Sequence, residues 1–323
     1  MPLTFTCHVE SQDSDFEDSE SVACLNARRQ THELMRACST AGIDRILVDR
    51  DPEDRLASFA LRDLPNVSVI IAHKVGTTTP ALAAQNLARL DQFGNGRLSI
   101  AVSPPDEGLK GQGFNHEASF ALLDEYLVLM KRLWANDAPF DHEGPFYSLE
   151  SAYCEAKPFN GRNIPLILGG LSGTAVKIAA KHADGFSLGG SEKAQARQTI
   201  SRVRAAAQSY GRFDKIRFSI DVRPVLGVTH ADAMQRAKQI DKQEGVVILA
   251  GTAEEISTAL LDYRALGVSE FVLRGMNDPR DIEAFGKTVI ASFKRSSDAQ
   301  NEASKSGSAY FMPFGRFSRR TLQ

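Results

Sequence analysis

The residues with the clearest chemical potential form the turn GGLSGT, in which Gly169, Gly170, Ser172, Gly173 and Thr174 take part. The turn follows an apolar stretch and opens a helical one. Its glycines let a ligand approach the backbone closely, and the free N–H groups of a helix N-terminus attract an anion. The two hydroxyls add further donors. We therefore predict an anion-binding turn; the alternative is that Ser172 only caps the helix.

Titratable side chains stand at the ends of other strand-like runs. His8 ends the first run, His73 the third, and Asp221 and Arg223 the seventh. A histidine in such a place could donate a hydrogen bond to a bound cofactor, and a structural histidine fits equally well. Arg223 could bind an anionic substrate with Asp221 as its partner. The alternative for this pair is an ion pair that only supports the fold.

The elements that must position these residues alternate between short apolar runs and longer amphipathic stretches. The runs lie at 3–9, 45–48, 67–73, 98–102, 165–168, 185–188, 217–222 and 271–273. The helical stretches lie near 22–42, 52–62, 79–93, 116–136, 172–183, 191–211, 229–243, 252–266 and 279–295. A helix after nearly every strand predicts an α/β protein, a closed (β/α)8 TIM barrel. An open Rossmann sheet is disfavoured because residues 10–21 contain no glycine-rich fingerprint.

Several local signals support these boundaries. Thr79-Pro80 provides an N-cap with proline at the first helical position, Thr252 and Glu255 make a capping box, and Gly42 and Gly267 stand where helices end. Residues 103–115 form a long loop after the fourth strand, and 137–163 reads as an excursion with a hairpin. We predict one barrel domain over 1–296 and a disordered tail over 297–323.

Composition excludes several classes of function. The 323 residues carry a formal net charge of -2, which does not favour nucleic acid or an anionic membrane as partner. The four cysteines have no metal-site spacing and are interpreted as buried thiols, so we expect no metal. Without an apolar leader or a spanning segment, we expect a cytoplasmic protein. Metalloprotease, α/β-hydrolase and P-loop motifs are absent from the sequence.

Three stretches together resemble the bacterial luciferase-like flavin monooxygenases, and among these the alkanesulfonate monooxygenases. They are TTPALAAQNLARLDQFGNGR at 78–97, FDHEGPFY with AKPFNGRNIPLILGG between 140 and 170, and GTAEEISTALLDYRALGVSEFVL at 251–273. The resemblance covers most of residues 1–295. It implies a barrel enzyme that uses reduced FMN, supplied by a separate flavin reductase, and O2 to oxidise a small-molecule substrate. It also implies a homodimer or other homo-oligomer.

The resemblance also assigns site residues. The GGLSGT turn matches the one that holds the FMN phosphate, Ser103 stands near the isoalloxazine ring, and the end of the third strand, with His73, packs against the flavin. His8, Asp221 and Arg223 become the candidate catalytic residues.

Some positions depart from the alkanesulfonate enzymes. Asp51-Pro52 replaces their cysteine, Met276 their tyrosine, and Ser119-Phe120 their Arg-Tyr pair, while their active-site insertion shrinks to about 243–250. Two alternatives therefore stay open beside the monooxygenase. One is a deazaflavin-dependent oxidoreductase, and the other is a degenerate flavin-binding barrel without catalysis.

Overall fold

The structure, a computed structural model, describes residues 3–10, 22–49, 55–105, 116–161, 163–240 and 245–295. Within these ranges the strands are β1 (Thr4–Glu10), β2 (Arg45–Asp49), β3 (Ser68–Lys74), β4 (Leu98–Ser103), β5 (Phe140–Glu143), β6 (Ser148–Ala152), β7 (Leu166–Gly169), β8 (Gly185–Ser187), β9 (Arg217–Leu226), β10 (Val247–Gly251) and β11 (Val268–Leu273). The α-helices are α1 (Val22–Thr40), α2 (Arg55–Asp63), α3 (Pro80–Phe93), α4 (His116–Ala135), α5 (Gly173–His182), α6 (Lys193–Gln208), α7 (His230–Ala237), α8 (Ala253–Leu266) and α9 (Pro279–Phe285), and a π-helical turn, Gly286–Ile290, continues α9. The tail 297–323 lies outside the described residues.

Parallel pairing closes the sheet into a barrel. Its order is β1-β2-β3-β4-β7-β8-β9-β11, and β11 pairs with β1 again. These eight strands of the described chain coincide with the eight apolar runs of the sequence, so the predicted TIM barrel is confirmed. The excursion at 137–163 contains the expected hairpin, β5 paired with β6 in antiparallel fashion.

One strand, β10, was not predicted from the sequence. β9 pairs with β8 and β11 through its first half, and its second half, from Val222 to Leu226, pairs with β10. From the sequence, 243–250 was interpreted as the remnant of an insertion. The structure instead uses part of that segment to extend the sheet beyond the barrel.

The helices begin and end where the local signals indicated. Thr79 Oγ1 accepts a hydrogen bond from the Leu82 amide, and Thr252 and Glu255 form the reciprocal capping box. Gly267 ends α8 in the left-handed region with φ of 107°. Among the described helices, none is long and apolar enough to cross a membrane.

Outward-facing side chains of the strands pack against the helical shell. Phe5 and Phe271, on neighbouring strands, contact Phe293, and the ring centroids of Phe5 and Phe293 are 5.8 Å apart in an edge arrangement. Burial of such rings contributes about 2 kcal/mol each. Cys7, Cys38 and Cys154 are also buried as free thiols, as expected, and the Cys24 side chain lies outside the described ones.

The barrel interior is filled in layers. Near the strand N-termini, Arg45 donates to both carboxylate oxygens of Glu270 at 3.0 and 3.1 Å and to Ser99 Oγ at 2.6 Å, while the Thr6 hydroxyl donates to Glu270. Above this polar layer lie Leu47, Ile70 and Val272, with Ala101 and Ile167 against them. A filled middle separates the two ends of the barrel, so each end is a distinct surface.

The Arg45–Glu270 pair provides a test of the interior. Glu270→Ala would leave the guanidinium, only 16% exposed, without its carboxylate. We expect the free energy of unfolding to fall by about 3 kcal/mol, because an uncompensated buried charge is costly. Urea unfolding followed by the fluorescence of Trp134 measures this. Glu283→Ala, which removes an exposed partner of Lys287, is the control and should cost less than about 1 kcal/mol. Equal losses in both variants would contradict the assignment.

Candidate active site at the barrel mouth

The C-terminal ends of the strands gather four charged or titratable side chains. His8 Nε2 lies 2.5 Å from Asp49 Oδ2, and the Arg274 guanidinium lies 3.7 Å from the same carboxylate oxygen. Arg274 also donates from Nε and Nη2 to Asp221 Oδ2, each at 2.9 Å. The four residues belong to, or directly follow, β1, β2, β9 and β11, which are consecutive around one side of the barrel. We call them the charged wall.

The pKa of Asp221 is raised above its ordinary value. Burial of the carboxyl group is the main cause, and the positive charges of Arg274 and His8 oppose it. Arg274 therefore keeps a buried carboxyl group ionisable next to a second carboxylate, Asp49. The guanidinium thus limits the accumulation of negative charge where the two carboxyl groups meet.

The expected partnership between Asp221 and Arg223 was wrong, because Asp221 pairs with Arg274. Asp221 and Arg223 lie two positions apart on β9 and so share the interior face. The Arg223 side chain instead lies over Gly275, where an added Cβ would come within 2.7 Å of Arg223 Nε. Within the described chain Arg223 makes no ion pair, so its guanidinium remains available to an anionic ligand at the mouth.

The opposite side of the mouth is lined by small residues. Ala72, Ser103 and Gly169 lie two positions beyond Ile70, Ala101 and Ile167 of the interior layer, and alternation therefore turns them inward as well. Ala72 and Ser103 are exposed, and Gly169 is partly exposed.

Three neighbouring strands, β3, β4 and β7, thus present Ala72, Ser103 and Gly169, which we call the small-residue wall. It leaves room for a flat ligand. Ser103 and Gly169 were predicted as site residues from the sequence. Ala72 was not, although the alternation of β3 could have revealed it.

His73 faces the other way. Its Nε2 forms a 2.8 Å hydrogen bond with the Tyr126 hydroxyl of α4, and the two rings are 5.7 Å apart. Burial lowers the pKa of His73 and raises that of Tyr126, so both side chains are held neutral. His73 therefore anchors α4 to the barrel, and its contact with a cofactor stays a prediction.

Glu125 holds the β5–β6 hairpin on α4. Its carboxylate accepts hydrogen bonds from the amides of Phe146 and Tyr147, at 3.1 and 3.2 Å, and pairs with His142 at 2.8 Å. Burial, with the negative charge of Glu125, raises the pKa of Tyr147 to about 12. The Tyr147 ring lies 5.9 Å from Tyr126. The hairpin thereby stabilises the helix that follows β4.

The glycine-rich turn opens α5 as predicted. Gly170 has φ of 116°, and a Cβ there would meet Ala175 Cβ at 2.9 Å, so the position requires glycine. A Cβ on Gly173 would meet no atom within 4 Å, which leaves the turn accessible. Ser172 Oγ accepts from the Ala175 amide at 3.1 Å, so it caps the helix. Its hydroxyl hydrogen can still donate to a ligand.

A further hydroxyl lies at the start of the neighbouring helix. Ser119, in the first turn of α4, is 4% exposed, and its Oγ has no hydrogen-bond partner among the described residues. Because β4 and β7 are paired, α4 and α5 both begin at this edge of the barrel. A buried polar atom without a partner is costly, which marks the first turn of α4 as a place where a ligand group would be stabilised. Asp51-Pro52 and the loop 106–115 lie outside the described residues.

A small-residue wall facing charged side chains, at the strand C-termini, defines a (β/α)8-barrel protein with a candidate active site at its mouth. Among the described residues no group of three His, Cys, Asp or Glu could hold a metal ion. The family model of the luciferase-like monooxygenases matches residues 12–245. The chain belongs to that family.

Solved structures with the same fold include enzymes of different chemistry. A long-chain alkane monooxygenase superposes with a TM-score of 0.76 at 16% identity, over 92% of each chain. The EDTA monooxygenase of Chelativorans sp. BNC1 superposes with a TM-score of 0.76 at 15% identity, over 92% of this chain and 94% of that one. The coenzyme F420-dependent tetrahydromethanopterin reductase of Methanopyrus kandleri superposes with a TM-score of 0.73 at 14% identity, over 91% of this chain and 100% of that one. At these identities the similarity establishes the fold.

The role of Arg274 in the charged wall can be tested by Arg274→Met. We expect the pKa of Asp221 to rise further, because its nearest positive charge is lost. A carboxyl group whose pKa is raised in the folded state binds its proton more tightly when the protein is folded. The free energy of unfolding therefore falls as the pH rises from the pKa of the unfolded state through that of the folded state. The variant should lose about 3 kcal/mol at pH 8 and less at pH 5.

Unfolding free energies at the two pH values measure this effect. Arg280→Met, which removes an exposed guanidinium in α9, is the matched control and should behave like the parent protein at both pH values. A loss in Arg274→Met that is the same at pH 5 and pH 8 would show that the guanidinium does not govern the Asp221 carboxyl group.

Proposed function

We propose that this protein is a flavin-dependent monooxygenase that uses reduced FMN and O2 to oxidise a small organic substrate. The observation that carries the proposal is the small-residue wall beside Ser119 in the first turn of α4 and the glycine-rich turn that opens α5. A wall of small side chains leaves space for a planar ring, and donors at a helix N-terminus stabilise a phosphate. The chain offers both on adjacent strands, facing the charged wall.

The residues present fit FMN. Ser172, Thr174 and the amides around Gly173 would hold the phosphate, and the partnerless Ser119 hydroxyl gives the same edge a further donor. Ala72 and Ser103 would lie against the ring. Bound reduced FMN would supply the electrons that activate O2, which is chemistry that side chains do not provide.

The chain's own contribution is position and charge. His8, oriented by Asp49, can hold or move a proton at its ring nitrogens at the mouth. Arg274 fixes Asp221 and limits repulsion between the two carboxylates. Arg223, which makes no ion pair within the described residues, would receive an anionic group of the substrate or offset negative charge as it develops. An alkanesulfonate is one such substrate and stays a prediction. The separate reductase and the association of two copies likewise rest on the family resemblance.

A deazaflavin-dependent oxidoreductase is the second candidate. It is favoured by the superposition on the F420-dependent reductase of Methanopyrus kandleri and on an F420-dependent secondary alcohol dehydrogenase, the latter with a TM-score of 0.71 at 17% identity. The same wall of small residues could accept either ring system. The two functions differ in whether O2 is consumed.

The proposal is tested by anaerobic titration with photoreduced FMN. We expect saturable quenching of flavin fluorescence, and a changed rate of flavin reoxidation on mixing with O2 compared with free reduced FMN. Ala72→Leu should weaken binding at least about tenfold, since the larger side chain fills the ring space. Ala231→Leu, on an exposed position of α7, is the control and should bind normally.

Other outcomes decide between the alternatives. Binding of reduced F420 in place of reduced FMN would establish the deazaflavin function. Binding of neither would leave a barrel without flavin chemistry. Tight FMN binding in Ala72→Leu would place the ring elsewhere.

The phosphate assignment has its own prediction. In the double variant Ser172→Ala, Thr174→Ala we expect the dissociation constant of FMN to rise by about tenfold or more, and that of riboflavin by less than about threefold, because only FMN carries a phosphate. Fluorescence titration measures both constants. The double variant Thr258→Ala, Thr288→Ala removes hydroxyls that bond helix carbonyls elsewhere and should change neither. Equal weakening of FMN and riboflavin would refute the assignment.

A further inference from the structure

A second concave site lies at the end of the barrel opposite the candidate active site. Its cavity has a volume of about 770 Å³. It is lined by the first residues of six barrel strands, namely Thr4, Arg45, Ser68, Leu98, Gly185 and Arg217. Parallel strands all begin at the same end, so this cavity belongs to the N-terminal face, and the filled middle of the barrel separates it from the mouth. We call it the N-terminal basin.

Positive charge dominates the lining of the basin. Six basic and three acidic residues contribute to it. The three carboxylates are already engaged: Glu270 with Arg45, Asp184 with Arg212 at 3.0 Å, and Asp44 with the Phe5 amide at 2.8 Å. The other four basic residues of the lining form no ion pair within the described residues.

Two of those four cations donate their hydrogen bonds to backbone carbonyls. Arg97 donates to the backbone carbonyls of Leu61, Leu64, Val67 and Gly94, and the Lys131 ammonium donates to the His182 carbonyl at 2.9 Å. Burial lowers the pKa of both side chains. The carbonyls hold the two cationic groups in place without neutralising them, so positive charge lies beside the cavity.

The other two cations are free to make contacts. Lys215 and Arg217 are exposed at the rim, and within the described residues neither forms an ion pair. Arg217, the first residue of β9, lies on the same face as Ser219 and Asp221 and hence points toward the barrel axis. A guanidinium and an ammonium at one rim can donate hydrogen bonds to the same oxyanion from two directions.

We propose that the N-terminal basin binds a small polyvalent oxyanion of the phosphate-ester or diphosphate class. The excess of three positive charges favours a ligand with more than one negative charge, and the cavity falls in the size range of small-molecule sites. The N-terminal face of a barrel usually serves stability. Here the charges do not balance, and the unbalanced ones converge on a cavity. The site is independent of the flavin proposed at the mouth.

Isothermal titration of the full chain with inorganic pyrophosphate at low ionic strength tests the proposal. We expect saturable binding that weakens as NaCl is raised, because exposed charges are screened. In the double variant Lys215→Gln, Arg217→Gln the dissociation constant should rise by about tenfold or more. Both side chains are exposed and form no ion pair within the described residues, so the unfolding midpoint without ligand should stay at the parent value.

Two controls separate this site from other causes. The double variant Arg197→Gln, Lys238→Gln removes the same two types of charge from exposed positions on α6 and after α7, and it should bind pyrophosphate like the parent protein. The Ser172→Ala, Thr174→Ala variant tests whether pyrophosphate occupies the mouth instead. The proposal is overturned if binding is absent, if both charge variants weaken it equally, or if only the Ser172, Thr174 variant abolishes it.

Discussion

Side chains along each strand of a closed barrel alternate between the interior and the helical shell, and the whole molecule depends on this constraint. Closure brings the interior positions of every strand to one axis, whatever their separation in sequence. Side chains from several strands must therefore fill the interior together, one layer above another. In this protein an ion pair with its hydroxyls fills the N-terminal layer, aliphatic side chains fill the middle, and the last interior positions are left to form the mouth.

The mouth divides into two halves with different physical character. On one half, small side chains leave space that the barrel does not fill. On the other half, Arg274 stands between the carboxylates of Asp221 and Asp49, and its charge makes their proximity tolerable. The small-residue wall suits a flat cofactor. The charged wall beside it suits a reaction in which protons are transferred and charge develops. The basin at the other end has the opposite property, since its cations exceed its carboxylates.

The fold was largely predictable from the sequence because its signals are local. Short apolar runs separated by capped helices predicted every strand of the barrel, and the hairpin at 137–163 followed from its place between them. β10 was missed because an apolar run such as VILAG is equally compatible with a loop remnant. Whether it pairs depends on the length of β9 beyond the barrel, and strand ends are the least determined feature of a sequence pattern.

The sequence by itself determined the barrel, the glycine-rich turn before α5 and the positions of the titratable residues near the strand ends. Only the tertiary structure decided which of those residues meet. Asp221 and Arg223 are close in the chain, yet Asp221 pairs with Arg274, because the register of β9 and β11 places the two side chains together. His73, for which a structural role and a flavin contact were both predicted, hydrogen-bonds to Tyr126, because its position on β3 points into the helical shell. Contacts between strands depend on register and closure, and these properties arise only when all the strands are assembled.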